Sequence, residues 1–315
     1  MKKKLKLILK IVVVLIILGI IAGIFVVGKM VNDGVLYQNR GNDTKANGIK
    51  QLEIWEFDVE GFYAKHTGIE FKIQSEDGNT IPGSIFMDEN NTKWVIFVHG
   101  AGGSHEFGIS YVEDYIENGY NVLTFDERGH GDNSDERVTF GINEKNDVKA
   151  LVDYVKNEYA AEFVIVHGQS MGGATAALYA ATEHAKENID ACVLDSPVPG
   201  LELFLRLMFT EDGTSENVAN AIIGCGKIYS GIFSGLDYSE GDTIEKAKEI
   251  MVPTMVIVSK QDTVCLPEYV EDIYANIAAE NKKMVEFDCQ HIKGVFDYRE
   301  QYFNEIFDFL NNLNQ

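Results

Sequence analysis

The sequence predicts an α/β fold: a mostly parallel sheet with helices on both faces, a helical insertion late in the chain, and one apolar helix in front. Three observations carry that expectation. From Trp94 onward, short apolar runs alternate with segments of helical pattern, and strands this apolar are covered on both faces. One run, Val164-Ile165-Val166-His167, leads into Gly168-Gln169-Ser170-Met171-Gly172-Gly173 and then an alanine-rich segment, which reads as strand, sharp turn and helix. Near the start, Ile11 to Gly28 is an 18-position run without charge, about 27 Å of helix and close to the thickness of a bilayer's hydrocarbon core.

Residues 1–30 are expected to be a cytoplasmic tip and a transmembrane anchor. Gly19, Ala22, Gly23 and Gly28 never fall two places apart, so the small-x-small pattern of a cleaved signal peptide is missing and an uncleaved signal anchor is favoured. Lys2, Lys3, Lys4, Lys6 and Lys10 outweigh Lys29, which keeps the tip in the cytoplasm and the rest outside the cell membrane. Residues 31–66 begin polar and turn-rich and read as a stalk or linker. The catalytic-sized domain, 67–315, opens with a hairpin, Glu70 to Gln74 and Ile81 to Met87, around Glu76-Asp77-Gly78-Asn79.

The alternating units follow. Strands are expected at Trp94 to Val98, Asn121 to Phe125, Phe163 to Val166, Ala191 to Leu194, Thr254 to Val258 and Met284 to Phe287. Helices are expected near Tyr111 to Asn118, Glu144 to Asn157, after Ser170, near Pro267 to Ala279, and near Arg299 to Leu313. The connection 197–242 is far longer than an ordinary one and reads as a lid, with helices at Leu201 to Phe209 and Glu216 to Ile223. Phe204, Leu207, Met208 and Phe209 either line it for an apolar acyl group or merely pin it to the domain.

Composition excludes some partners. The 315 residues carry 27 basic and 49 acidic groups; without the first 30 positions the balance is 21 to 49, a net −28, which repels nucleic acid and anionic lipid. Cys192, Cys225, Cys265 and Cys289 are too scattered for a disulfide framework or a metal site. Cys265 and Cys289 fall in neighbouring expected loops; free thiols are favoured over a bond between them.

A serine hydroxyl needs a base to take its proton, and the base needs an orienting carboxylate. Ser170 on a sharp turn is the candidate nucleophile. Of seven histidines, His291 alone follows the last strand at its carboxyl end, where ligand crevices of open parallel sheets lie. His66, His99, His105, His130, His167 and His184 stand in less suitable places, the last as the close of a helix. Asp262, one strand before His291, is preferred as the carboxylate; Asp126 and Asp195 also follow strands and are its rivals. Charge on a substrate oxygen must be met by fixed donors, and the backbone N–H groups of Met171 and of Ala101, in the glycine loop His99-Gly100-Ala101-Gly102-Gly103, are the candidates.

That glycine loop, Phe125-Asp126-Glu127-Arg128-Gly129-His130-Gly131, the Ser170 turn, Leu194-Asp195-Ser196-Pro197, Asp262 and His291 stand in the order found in the α/β-hydrolase superfamily. From about Glu70 to the end the chain resembles its membrane-anchored bacterial branch, grouped with serine aminopeptidase-like hydrolases and similar to monoglyceride lipases around the serine. The resemblance implies an α/β-hydrolase fold, with Ser170 as nucleophile, His291 as base, Asp262 as orienter, Ala101 and Met171 as oxyanion donors, and Asp126 and Arg128 bracing turns beside the site. Gln169 replaces a frequent histidine, and Gln290 occupies a place often taken by glycine. The expected activity is hydrolysis of a small-molecule carboxylic ester with an apolar acyl part, without metal or organic cofactor. An aminopeptidase-like enzyme would need an acidic lid group for a free amine, for which Glu202 and Glu211 are available. An acyltransferase and a catalytically inactive binding module are the remaining alternatives.

Overall fold

The structure, a computed structural model, describes residues 2–313. Among them eight strands form one sheet: β1 (Ile69–Gln74), β2 (Thr80–Phe86), β3 (Lys93–Val98), β4 (Tyr120–Phe125), β5 (Phe163–Gln169), β6 (Ala191–Asp195), β7 (Thr254–Ser259) and β8 (Lys282–Phe287). Their spatial order is β1-β2-β4-β3-β5-β6-β7-β8. The pairs β1–β2 and β2–β4 are antiparallel, and every pair from β4–β3 to β7–β8 is parallel. Because the chain passes from β3 to β4 on one side and then to β5 on the other, the order reverses at β3. The carboxyl ends of β3 and β5 therefore flank the crevice where open α/β sheets bind ligands.

Strand alternation divides the core. Trp94, Ile96 and Val98 of β3 join one apolar layer, and Val95 and Phe97 the other. The first layer packs against α5 (Glu144–Tyr159), α6 (Met171–Ala180) and, after the short α7 (Glu183–Asn188), the later α11 (Pro267–Asn276). The second packs against α4 (Ile109–Glu117) and α13 (Arg299–Asn312), which follows the single turn α12 (Gly294–Asp297). All ten residues of α6 are buried, which explains its run of alanines and glycines. His184 lies in the first turn of α7 rather than closing the preceding helix, because α6 ends at Ala180 and Thr182 caps a new start by accepting from Ala185 N–H at 3.1 Å.

The segment 31–66 is not an extended stalk. Helix α1 (Lys2–Leu36) continues unbroken past the apolar run, and Val35 and Leu36 are buried, with Val138 N–H donating to Leu36 O at 2.8 Å. After a turn, α2 (Thr44–Ile54) and α3 (Val59–Lys65) lie on the domain, burying Leu52 and Phe62 against the second layer. The polar residues that suggested a linker serve as turns and caps instead. Asp43 accepts from Ala46 N–H at 3.0 Å, and Asp58 from Gly61 N–H at 2.9 Å.

The insertion expected to be a lid comprises α8 (Leu201–Glu211) and α9 (Glu216–Phe233), followed by a 3₁₀ turn and α10 (Thr243–Lys246). Helix α9 runs ten residues beyond the expected end at Ile223, because its far half packs along α1. Small residues allow that approach: a Cβ at Gly28 would stand 2.4 Å from Cys225 O. Ser230 and Ser234 both donate to Asn32 Oδ1, at 2.9 and 2.8 Å.

Candidate active site

Ser170 has φ 56° and ψ −117°, a left-handed conformation that a side-chain-bearing residue adopts only when its surroundings impose it. They do so here. A Cβ at Gly168 would meet Gly172 O at 2.1 Å, and one at Gly172 would meet Val98 O at 2.2 Å, so only glycine fits at either place. The turn is tied to the sheet by Ser170 N–H donating to Asp195 O at 2.9 Å.

Three side chains from separate loops meet at this turn. His291 Nε2 lies 2.9 Å from Ser170 Oγ, and His291 Nδ1 lies 2.5 Å from Asp262 Oδ2. With Nδ1–H donating to the carboxylate, Nε2 is left as the acceptor for the serine hydroxyl. Asp262 is itself fixed, because its Oδ1 accepts from the N–H groups of Val264 at 2.8 Å and Cys265 at 2.9 Å. The two loops are extensions of the β7–β8 ladder: Lys260 N–H donates to Phe287 O and Gln261 N–H to Cys289 O, at 2.8 and 2.9 Å. Ile292, directly after the histidine, has φ 53°, a conformation costly for a β-branched residue that turns the chain back toward α12.

The rivals of Asp262 point elsewhere. Asp195 Oδ2 accepts from Tyr302 Oη at 2.8 Å in a sealed network with His167 and Tyr115, and burial pushes its carboxyl up to about 6. Burial likewise pushes His167 down to about 3, so its ring is neutral. Asp126 accepts from His105 N–H and Nδ1 and from Asp132 N–H, at 2.8 to 2.9 Å, and braces the loop. Burial opposes ionisation there, but the His105 bonds hold that carboxyl below its ordinary value. Arg128 is buried and clamps Asp147 through Nε and Nη2 at 2.8 and 2.7 Å, with Asp77 beside it.

The glycine loop after β3 is oriented by two histidines. His99 Nε2 accepts from Glu127 N–H at 3.0 Å, so Nδ1 donates to Gly100 O at 2.8 Å. In a trans peptide a carbonyl held on one side leaves the next N–H on the other, so Ala101 N–H faces away from His99. Gly100 lies against the serine, where a Cβ would stand 3.3 Å from Ser170 Cβ. His130, pushed by burial to about 3 and donating Nδ1–H to Arg128 O, accepts from Gly102 N–H at 2.9 Å. Met171 N–H opens α6 among the first N–H groups of the helix, which have no partner within it.

Two cavities meet at Ala101. One, about 340 Å³, is bounded by Asn47, Gln51 and Trp55 of the α2 region, the glycine loop, Gln169 and His291. The other, about 690 Å³ and apolar, lies between α1 and α8. Neither α1 nor α2 was expected to reach the site. The available signal was Leu52, Trp55, Phe57 and Phe62, too apolar a set for a solvated stalk. Within the lid, Phe204, Met208 and Phe209 line the larger cavity, whereas Leu207 faces a separate hollow with Glu211 and Val264. Glu202 is paired with Lys227 at 2.5 Å and Arg206 at 3.6 Å.

Cys265 and Cys289 are free thiols, both buried, so no bond joins them. Among the described residues, His105, Glu106 and Asp126 lie near enough to share a metal ion. They are engaged with one another and with protein donors: His105 Nδ1 bonds Asp126, and Glu106 accepts from Ser104 Oγ at 2.5 Å and faces Lys45 at 3.3 Å.

Residues 89–210 match the model of a serine aminopeptidase family, S33. An uncharacterized protein of Bacillus subtilis (strain 168), YqkD, is 23% identical over 295 residues, 93% of this chain and 95% of that protein. Among solved structures, the Pyrococcus furiosus esterase Pf2001 aligns with a TM-score of 0.65 at 23% identity, covering 81% of this chain and 94% of that one. The esterase EaEST from Exiguobacterium antarcticum aligns with a TM-score of 0.56 at 17% identity, covering 78% of this chain and all of that one. The strand order, the serine turn after β5 and these likenesses agree: the chain has the α/β-hydrolase fold, and over residues 89–210 it is similar to the S33 serine aminopeptidases.

Proposed function

We propose that the chain is a membrane-anchored serine hydrolase that cleaves carboxylic esters through an acyl-enzyme on Ser170. One observation carries the reading: a strained Ser170 with Oγ 2.9 Å from a histidine whose other nitrogen is 2.5 Å from a fixed carboxylate. His291 Nε2 takes the hydroxyl proton as Oγ bonds to the ester carbon. The N–H groups of Ala101 and Met171 receive the oxyanion. When the intermediate collapses, the carbon–oxygen bond to the alcohol breaks and His291 returns its proton to the departing oxygen. Water then gives a proton to His291 and attacks the acyl carbon, and Ser170 leaves with that proton restored. Asp262 keeps Nδ1–H in place throughout and stabilises the imidazolium. No metal or organic cofactor enters this cycle.

An ester is preferred over a peptide with a free amine because Glu202, one of the two carboxylates considered for binding that amine, is neutralised by Lys227 and Arg206. The anchor reading rests on α1, whose span Lys3–Leu36 has a mean hydropathy of 3.3 in its most apolar window. The lysines at its start favour a cytoplasmic tip and an extracytoplasmic domain. A fluorophosphonate probe tests the chemistry: labelling of the full chain that disappears in Ser170→Ala supports it, and a folded, unlabelled wild type would leave a binding module. Faster turnover of aminoacyl anilides than of p-nitrophenyl esters would make it a peptidase, and product trapped on an added alcohol an acyltransferase. The mass of the mature protein reads whether the anchor is retained.

A further inference from the structure

We infer that the anchor helix forms one wall of the acyl-binding site, which takes a fatty chain of an ester resident in the same bilayer. This rests on the serine-hydrolase and anchor readings above and adds a substrate class to them. The larger cavity, about 690 Å³, lies between Val27, Met30 and Gly34 of α1 and Phe204, Met208 and Phe209 of the lid. Its lining reaches Ala101, which also borders the cavity holding His291. An acyl chain lying there would bring its carbonyl to the proposed oxyanion donors, with the alcohol part left to the Trp55 side.

On the anchor reading, the α1 side of the cavity borders the lipid. Met30 and Met208, which line the cavity, are 70% and 51% exposed. On α9, Ile232 and Phe233 are 61% and 60% exposed, and the Phe233 ring stands 5.8 Å from that of Phe25. Phe25 belongs to the uncharged run that ends at Gly28, so these exposed apolar side chains lie at the depth of the span itself. On the anchor reading, these apolar side chains offer a chain in the outer leaflet a route along α1 to the cavity. The wall from Val27 to Val35 is about 12 Å long at ~1.5 Å per residue. At roughly 1.2 Å per bond of extended chain, that accommodates about ten carbons.

Gly34 supplies the test, because a Cβ there meets nothing within 4 Å and its helical backbone accepts any side chain. Gly34→Trp fills the cavity from the anchor side. In the full chain in detergent, the ratio of kcat/KM for p-nitrophenyl dodecanoate to that for the butanoate should fall at least tenfold; an unchanged ratio would overturn the assignment. Binding of a fluorescent hexadecanoic acid to Ser170→Ala is the readout independent of turnover, and adding Gly34→Trp should weaken it at least tenfold. If that binding behaves as expected but wild type neither labels with fluorophosphonate nor turns over esters, the hydrolase reading fails while the chain-binding wall stands. Monoacylglycerol in phosphatidylcholine vesicles should be cleaved at least tenfold faster when enzyme and substrate share a vesicle than when they occupy separate ones. Equal rates would remove the claim of lateral entry.

Discussion

Gly172→Ala tests whether the oxyanion site is assembled by contact between α6 and the end of β3. The added Cβ would stand 2.2 Å from Val98 O and 2.4 Å from His99 O, where real Cβ atoms essentially never come within 3.0 Å. Both neighbours are backbone, so no side chain can swing aside. Relief requires about 0.8 Å of separation between the helix that carries Met171 N–H and the strand end that carries the Gly100 to Gly103 loop. Those are the two halves of the proposed oxyanion site, and a misplacement of ~1 Å costs about 10²-fold in rate. Overpacking adds a stability loss of about 1–3 kcal/mol, which a domain of this size survives. Gly173→Ala is the matched control, since its Cβ stands 3.0 Å from Pro197 and presses on a different segment; it should lose less than tenfold. The assay is kcat/KM on p-nitrophenyl butanoate for full-length protein, well below each variant's own melting temperature, with far-UV circular dichroism to confirm folding. A folded Gly172→Ala within threefold of wild type would refute the contact argument.

Asp262→Asn should lower kcat by 10³ to 10⁴-fold, on the order expected when the orienting carboxylate is lost, while fluorophosphonate labelling slows but remains dependent on Ser170. Asp195→Asn should retain activity within tenfold and alter stability against pH. Its carboxyl sits near 6 when folded against an ordinary 3.8, so the folded state holds the extra proton and wild type loses stability as pH rises from about 4 to 6. The loss is about 3 kcal/mol at ~1.36 kcal/mol per unit, so urea denaturation at pH 4 and pH 7 should differ less for Asp195→Asn than for wild type by roughly that amount. An unchanged difference would mean the buried carboxyl titrates normally. Arg128→Ala strands Asp147, which is fully buried, and should cost about 3–5 kcal/mol in the same denaturation experiment; a loss below 1 kcal/mol would mean the pair is dispensable.

The sheet and the serine turn were legible because their signals are local. Runs such as Val164 to His167 are apolar on both faces, and the glycines at 168 and 172 answer a clash that spacing alone reveals. The grouping of Ser170, Asp262 and His291 followed from one rule, that the carboxyl ends of parallel strands share an edge. Which carboxylate faced the imidazole was harder. Asp195 also ends a strand, and Tyr302, more than a hundred residues away, with Ser196 beside it, holds it in the core instead. The histidines at 99 and 130 were set aside as bases by position, but their work of orienting Gly100 O and Gly102 N–H depends on tautomers set by Glu127 N–H and Arg128 O. Such pairings leave no periodicity to read.

The N-terminal segment was misjudged for a different reason, and the correction changes what α1 would do as an anchor. Polar residues from Asn32 to Asn47 looked like a linker, yet Gly28, Val31, Asn32, Val35 and Leu36 recur at the three- and four-residue steps of one helix face. That face is the one turned to the protein: Gly28 and Val31 touch α9, Asn32 takes two serine hydrogen bonds, and Val35 and Leu36 are buried. A flexible stalk would let the domain move independently of α1; an unbroken 35-residue helix clamped by α9 does not. On the anchor reading, the helix fixes both the height of Ser170 above the bilayer and the direction in which the apolar cavity opens. Replacing Gly28 with leucine would drive a side chain into Cys225 O and pry α9 from α1 while leaving the loops around Ser170 untouched. Such a variant should keep its turnover of butanoate esters in detergent within a fewfold and lose its advantage on esters embedded in its own vesicle, because what it breaks is orientation rather than chemistry.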